Sequence, residues 1–375
     1  MKIVCIAASF VPSNTANSIQ VMKAAHALVE NGHDVTLLVP GDTTHTWDEL
    51  AGRYGLTTAF KIIWLPENLF WRRYDFAFKA LRQARRLDPD LIYTWMLQSA
   101  VLSLRHGFPT VLEMHDRVTG LLGPILFKFF LQSKKAKRLL TITDALRCAL
   151  EEDFQTTFPF GMCMIAPMGV ELERYMNLPD PKNARSILGL KEGFTAGYSG
   201  HFYAGRGMQV LHALAKAFPQ VNFLWVGGKE SAVESWKRRL REECVANVTL
   251  TGFVENASLA LYQAACEVLL MPYEQEIAVS GGGNTADICS PMKMFEYMAA
   301  GRAIISSDLP VLREVLNENN ALFCPTGDLE AWQEALDLLM NDTAQRISLA
   351  DRARVDVQIY SWRSRASKAL EGIIF

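Results

Sequence analysis

Several common signatures are missing from the 375 residues. No stretch approaches the roughly 18 consecutive apolar residues that cross a bilayer, although hydrophobic residues make up 50% of the chain. There is no G-x-G-x-x-G dinucleotide fingerprint and no G-x-x-x-x-G-K-[ST] phosphate loop. The seven cysteines (Cys5, Cys148, Cys163, Cys244, Cys266, Cys289 and Cys324) form no C-x-x-C pair and no Cys/His metal spacing. Their odd number leaves at least one without a partner in the chain, and they are read as free core thiols of a reducing compartment. Neither sign of charge dominates: 38 Lys and Arg stand against 40 Asp and Glu, a net charge of -2. That balance removes any global electrostatic case for a nucleic-acid partner. The opening MKIVCIAASF has one lysine and a short apolar run, which suits a first strand better than a secretory leader, so the expected location is cytoplasmic.

What is present is a repeated grammar. KIVCIAAS, HDVTLLVP, LIYTWML, TVLEMHD and RLLTITD read as strands separated by helical patterns such as SIQVMKAAHALVENG. The second half repeats it with FTAGYSG, VNFLWVGG, NVTLTGF, VLLMPY and AIISSD. Strands alternating with helices predict doubly wound parallel sheets. The length exceeds what one core comfortably supports. The reading is therefore α/β, two Rossmann-like domains facing across a cleft: 1–170, then 171–357, with a helix over 358–375 packing back on the first. A turn-rich stretch around residues 165–192 serves as the hinge.

Ligands of open parallel sheets bind at the carboxyl ends of the strands, so the loops there are the candidates. FVPSNTANS places Asn17 and Ser18 at the start of a helix that either could cap. EMHD places His115 at a strand end, either as bonded structure or touching a polar ligand. YSGHFYAGRGM places Gly200, His201, Gly205 and Arg206 before a helix, where glycines permit close backbone approach and an arginine suits a diphosphate. SPMKMFEYMAAG offers Ser290 as N-cap, Pro291 as first helical residue and Gly301 as stop. Lys293 then lies in a first turn that favours acidic residues by about 0.3–1 kcal/mol. A bound anion would reconcile that lysine with the amides of residues 290–293, Met292 included, and with Arg206. Glu296, one turn on, pairs with Lys293 or receives a ribose diol.

Taken together, ANSIQVMKAAHALVENGHDVTLL, GVELERY, YSGHFYAGRGMQVL, VTLTGFV, ACEVLLMPY and SPMKMFEYMAAGRAIISSDLPVLREV resemble the retaining glycosyltransferases of family 4, which have the GT-B fold. The resemblance spans nearly the whole chain. It implies transfer of a sugar from a nucleoside-diphosphate donor, uridine by family frequency, to an acceptor hydroxyl with retention. It implies an acceptor domain first and a donor domain second. Arg206 would neutralise the donor diphosphate, Glu296 would hold the nucleotide ribose as second carboxylate of E-x7-E, and His115 would lie near the transferred sugar. Asn17 and Ser18 would approach phosphate and acceptor, and His201 would take the other basic position. One departure stands out: Ile288 occupies the place of the first motif glutamate, with Asp287 beside it. No cofactor or metal is expected, since D-P-D at 88–90 reads as a turn. The expected role is polysaccharide or glycolipid synthesis with a saccharide or lipid-linked acceptor. Residues 51–150 carry 16 Lys and Arg against 7 Asp and Glu. WRRYDFAFKALRQARRL and LLGPILFKFFLQSKKAKRLL therefore read either as solvated core-facing helices or as a surface for the inner face of an anionic membrane. The rival readings are a nucleotide-sugar epimerase of the same fold and a nucleotide-sugar binder with weak catalysis.

Overall fold

The structure is a computed structural model that describes residues 1–71, 73–276 and 285–373. It divides into two compact units: residues 1–168 together with 362–375, and residues 169–361.

Seven strands build the first unit: β1 (Lys2–Ile6), β2 (Asp34–Pro40), β3 (Lys61–Leu65), β4 (Leu91–Thr94), β5 (Thr110–Met114), β6 (Lys137–Thr141) and β7 (Cys163–Ile165). They lie in the order β3-β2-β1-β4-β5-β6-β7, every pairing parallel. A central strand of such a sheet is covered on both faces and needs a continuous apolar run; Ile3, Val4, Cys5 and Ile6 of β1 are fully buried. Six strands build the second unit: β8 (Thr195–Ser199), β9 (Asn222–Val226), β10 (Val248–Gly252), β11 (Val268–Met271), β12 (Ala303–Ser307) and β13 (Leu322–Cys324). Their order is β10-β9-β8-β11-β12-β13, again parallel. Phe223, Trp225, Leu270 and Ile305 pack there against Leu211, Leu214, Trp332 and Leu336 from the covering helices.

In both sheets the strand order reverses once, between β1 and β4 and between β8 and β11. The crevice beyond the strands opens at such a reversal. The loop after β1, which leads into the helix that starts at Ala16 and holds Asn17, and the loop after β8, which holds Arg206, leave the sheets there. The segment after β5, which holds His115, is one strand further along.

Two helix starts differ from expectation. Thr15, not Asn17 or Ser18, caps helix Ala16–Glu30, its hydroxyl accepting from the Ser18 amide at 3.3 Å. Helix Met292–Ala300 begins one residue late: Pro291 is its N-cap and provides no side-chain cap bond. Proline fixes φ but brings no acceptor side chain, so Ser290 lies one position before the cap it was expected to supply.

The cysteines also divide more evenly than expected. Cys5, Cys266 and Cys324 are buried, whereas Cys148 and Cys244 are exposed. The helix stop at Gly301 is left-handed, at φ 61°. Trp362–Leu370 is helical and belongs with the first unit. Arg72, of the aromatic and basic stretch, and the last two residues of the expected terminal helix lie outside the described residues.

Candidate functional site

Beyond β8 the chain turns through residues 200–207 into helix Met208–Ala217. A Cβ on Gly200 would stand 2.7 Å from the Lys293 amine, and one on Gly207 only 1.8 Å from the Pro272 carbonyl. The glycines therefore let this loop lie against helix Met292–Ala300 and the strand-end residues Pro272 and Tyr273. Two cations meet in that packing. The Arg206 guanidinium lies 4.9 Å from the Tyr273 ring centre. Lys293 Nζ lies 3.8 Å from the Tyr198 ring centre and 5.4 Å from that of Tyr273.

The Lys293 amine is shut off from water and has no hydrogen-bond partner among the described residues. Burial pushes its pKa far below the usual lysine value; the Arg206 charge adds to the drop and Glu296 opposes it. Cation–π contact with Tyr198 favours the charged form, but only by about 0.5–2 kcal/mol. An ammonium without anion or acceptor costs more than that. Among the described residues neither Arg206 nor Lys293 forms an ion pair. An arginine and a buried lysine amine, neither with an acidic ion-pair partner among the described residues, thus lie beside the start of helix Met292–Ala300, an arrangement whose chemistry suits a multiply charged anion.

Glu296 sits one turn on and accepts from Gln263 Nε2 at 3.2 Å. Gln263 is itself fixed, bonding Ser199 Oγ at 3.2 Å and accepting from the Tyr175 hydroxyl at 3.0 Å. His201 stacks on Tyr203 at 4.8 Å between centroids, and its carbonyl accepts from the Tyr198 hydroxyl at 2.7 Å. Ile288 is buried and Asp287 exposed. The neighbouring carboxylate thus faces solvent.

In the first unit His115 follows β5, and its Nε2 lies 2.6 Å from Glu113 Oε1. Glu113 is fully buried and takes four further contacts: Gln20 Nε2 at 2.8 Å, the Tyr93 hydroxyl, and Arg365 at 2.7 Å and 3.1 Å. Burial alone would raise its pKa; the Arg365 charge and the His115 and Arg365 hydrogen bonds reverse this and hold it well below the usual carboxylate range. Ser18 is buried and bonded to the Tyr54 hydroxyl at 2.6 Å, while Asn17 is exposed in the first helical turn.

The structure thus gathers Gly200, Arg206 and Lys293 in one place, with Glu296 a turn beyond Lys293, and engages Ser18 in a structural bond. Sequence reasoning missed Tyr198, Tyr273, Gln263, Glu113 and Arg365. Glu113 was detectable, since a carboxylate two residues before His115 in a strand shares its face. Arg365 had no local signal. Among the described residues no group of three His, Cys, Asp or Glu side chains could hold a metal ion.

Residues 194–342 match the family described as glycosyl transferases group 1, and residues 18–174 match glycosyltransferase family 4. The chain is 24% identical over 363 residues to a phosphatidyl-myo-inositol mannosyltransferase of Mycolicibacterium smegmatis, covering 91% of this chain and 85% of the relative. Anabaena HepE, solved with UDP, superposes with a TM-score of 0.73 at 15% identity, covering 99% of both chains. A glycosyltransferase of Rickettsia africae superposes with a TM-score of 0.76 at 14% identity, covering 99% of this chain and 97% of the other. The two parallel-sheet domains are those of the GT-B fold.

Proposed function

Because the chain belongs to glycosyltransferase family 4, we propose that it transfers a sugar from a uridine-diphosphate donor to an acceptor hydroxyl with retention of anomeric configuration. The observation that carries this reading is the Arg206 guanidinium and the buried Lys293 amine, which meet without an acidic ion-pair partner among the described residues at the start of helix Met292–Ala300. A diphosphate supplies the charge both lack. As the bond from the anomeric carbon to the diphosphate breaks, negative charge grows on the leaving oxygen, where preorganised cations and amides act most strongly. The acceptor oxygen bonds to the same face of that carbon, and its proton passes to the departing diphosphate oxygen. Arg206 and Lys293 provide the charge that a divalent ion would otherwise bring, so no metal is required.

Residues 1–170 take the acceptor in this reading and residues 171–357 the donor, with His115 beside the transferred sugar. UDP in the Anabaena HepE structure supports the choice of nucleotide.

Glu296 receives the ribose diol, already oriented by Gln263. Glu296→Ala is expected to weaken UDP roughly tenfold, as for a charged hydrogen bond of about 1.5 kcal/mol. Calorimetric titration measures it, and unchanged affinity would remove the ribose role.

The acceptor is a lipid-linked or lipid headgroup hydroxyl at an anionic membrane face. The support is helix Gly123–Gln132, which buries Phe127 and Phe130 yet exposes Ile125 and Phe129, together with the exposed Leu121 (87%) and Leu122 just before it. Lys128, Lys134 and Lys135 are exposed beside them. Helix Tyr74–Leu87, by contrast, turns its apolar face into the core through Phe76, Ala77, Ala80, Leu81 and Ala84. The wild-type protein is expected to co-sediment with phosphatidylglycerol vesicles at low salt, and Leu121→Ser with Phe129→Ser to abolish it. Equal pelleting of both proteins would contradict insertion of this helix.

A further inference from the structure

The mechanism above uses His115 but leaves unexplained why so much buried polar structure converges on its neighbour. Glu113 and Arg365 form an ion pair with side-chain exposures of 0% and 5%. Buried pairs rarely repay their desolvation by mutual attraction alone. This one is also unusually well satisfied. Arg365 Nη2 and Nη1 donate to the two carboxylate oxygens, Nη2 donates again to the Ala166 carbonyl at 3.0 Å, and Nε donates to the Pro167 carbonyl at 2.8 Å. Its ring neighbour is Trp362, 5.5 Å away. The carboxylate is clamped from three further elements: Gln20 in helix Ala16–Glu30, Tyr93 in β4 and His115 after β5. All these contacts lie within the first unit.

The consequence falls on the imidazole. An ionised carboxylate only accepts, so the nitrogen facing Glu113 must carry a proton. In the neutral ring that nitrogen is Nε2, which leaves Nδ1 as the acceptor. Among the described residues Nδ1 has no hydrogen-bond partner, and it does not belong to the buried orphan atoms, while the His115 side chain is a quarter exposed (26%). A carboxylate holding one imidazole nitrogen so that the other meets a hydroxyl is the arrangement of the serine-protease histidine.

We infer that Arg365 and Glu113 are positioning residues that lock His115 in the Nε2-protonated tautomer, which leaves Nδ1 as the hydrogen-bond acceptor for a hydroxyl. The inference deepens the donor reading and rests on it for the identity of that hydroxyl. The positioning itself does not depend on it.

Removing Glu113 alone would strand Arg365 in the core, so the test variant removes both charges: Glu113→Leu with Arg365→Met. Nitrogen-15 spectra of histidine-labelled full-length protein, the His115 signal identified through His115→Asn, report the tautomer directly. Wild type is expected to show a single Nε2-protonated form with an unprotonated Nδ1, and the double variant a mixture. With UDP-glucose as donor, kcat is expected to fall roughly tenfold or more in the double variant, as for a histidine released into the wrong tautomer, with KM little changed. Arg365→Lys, which keeps the charge, is expected to retain the single tautomer. A tautomer unchanged in the double variant would overturn the inference, whatever the activity. Unchanged transfer by His115→Ala would instead overturn the placement of His115 at the sugar, and with it the proposed hydroxyl contact.

Discussion

Arg206→Ala is expected to slow sugar transfer more than tenfold, about 1.4 kcal/mol or more of transition-state stabilisation, with a smaller change in UDP affinity. The expectation follows from where the arginine sits. It lies near the end of a glycine-rich loop beyond β8, stands 4.9 Å from the Tyr273 ring centre, and among the described residues has no carboxylate partner. A cation spent on a structural ion pair would already be neutralised and would contribute little to a departing group. This one is left to meet charge as it develops, which is the condition under which an electrostatic group raises kcat rather than merely lowering KM. Steady-state kinetics with UDP-glucose separates the two. A variant with unchanged kcat would show that Arg206 binds ground state and transition state alike.

Lys293→Met is expected to have opposite effects on stability and binding. The ammonium is buried without partner, and its pKa is driven down by burial and by Arg206. Between that depressed value and the ordinary lysine value the unfolded chain holds a proton that the folded protein has released. Stability of the free wild-type protein therefore rises with pH across that window. Methionine fills similar volume without charge, so the variant is expected to melt higher than wild type at neutral pH and to lose that slope. The diphosphate favours the ammonium and pulls the proton back. UDP affinity in wild type is accordingly expected to weaken as pH rises through the same window, with about one proton taken up per ligand above the depressed value. The variant is expected to bind UDP roughly thirtyfold more weakly, matching about 2 kcal/mol for a charge-assisted hydrogen bond, and without proton uptake. Thermal melts and calorimetry in buffers of different ionisation enthalpy measure all three. A variant that is less stable and binds UDP normally would mean that Lys293 serves packing alone. A group that lowers stability while serving a ligand is a common compromise at functional sites.

The central strands of both sheets were legible because each is a continuous apolar run between turn signals. The strands that went unread are edges. β3 shows only partly buried positions after an exposed Lys61, and β7 and β13 have three residues each. Three residues are too few to display a period of two, so such strands are recognised only through the neighbour they pair with. Helix caps failed for a related reason: Thr15, Asn17 and Ser18 are all competent caps by type, and backbone conformation decided among them. At the site, Lys293 was detectable because it contradicts the helix dipole, a conflict within a single turn. That its amine would be sealed under Gly200 and Tyr198 was not, because those contacts join residues some ninety positions apart. The same holds for Arg365, whose partner Glu113 lies 252 residues earlier. The domain plan placed the boundaries near 170 and 357. The compact units divide after Met168 and after Ser361, because the 3-10 turn Val357–Tyr360 packs Tyr360 against Phe295 at 5.1 Å and stays with the second unit.

A crystal structure of the wild-type protein with UDP addresses the central claim most directly. The diphosphate is expected within hydrogen-bond reach of Lys293 Nζ, the Arg206 guanidinium and the first amides of helix Met292–Ala300. UDP bound elsewhere, or bound with Lys293 still stacked on Tyr198 and no phosphate oxygen near either cation, would contradict it.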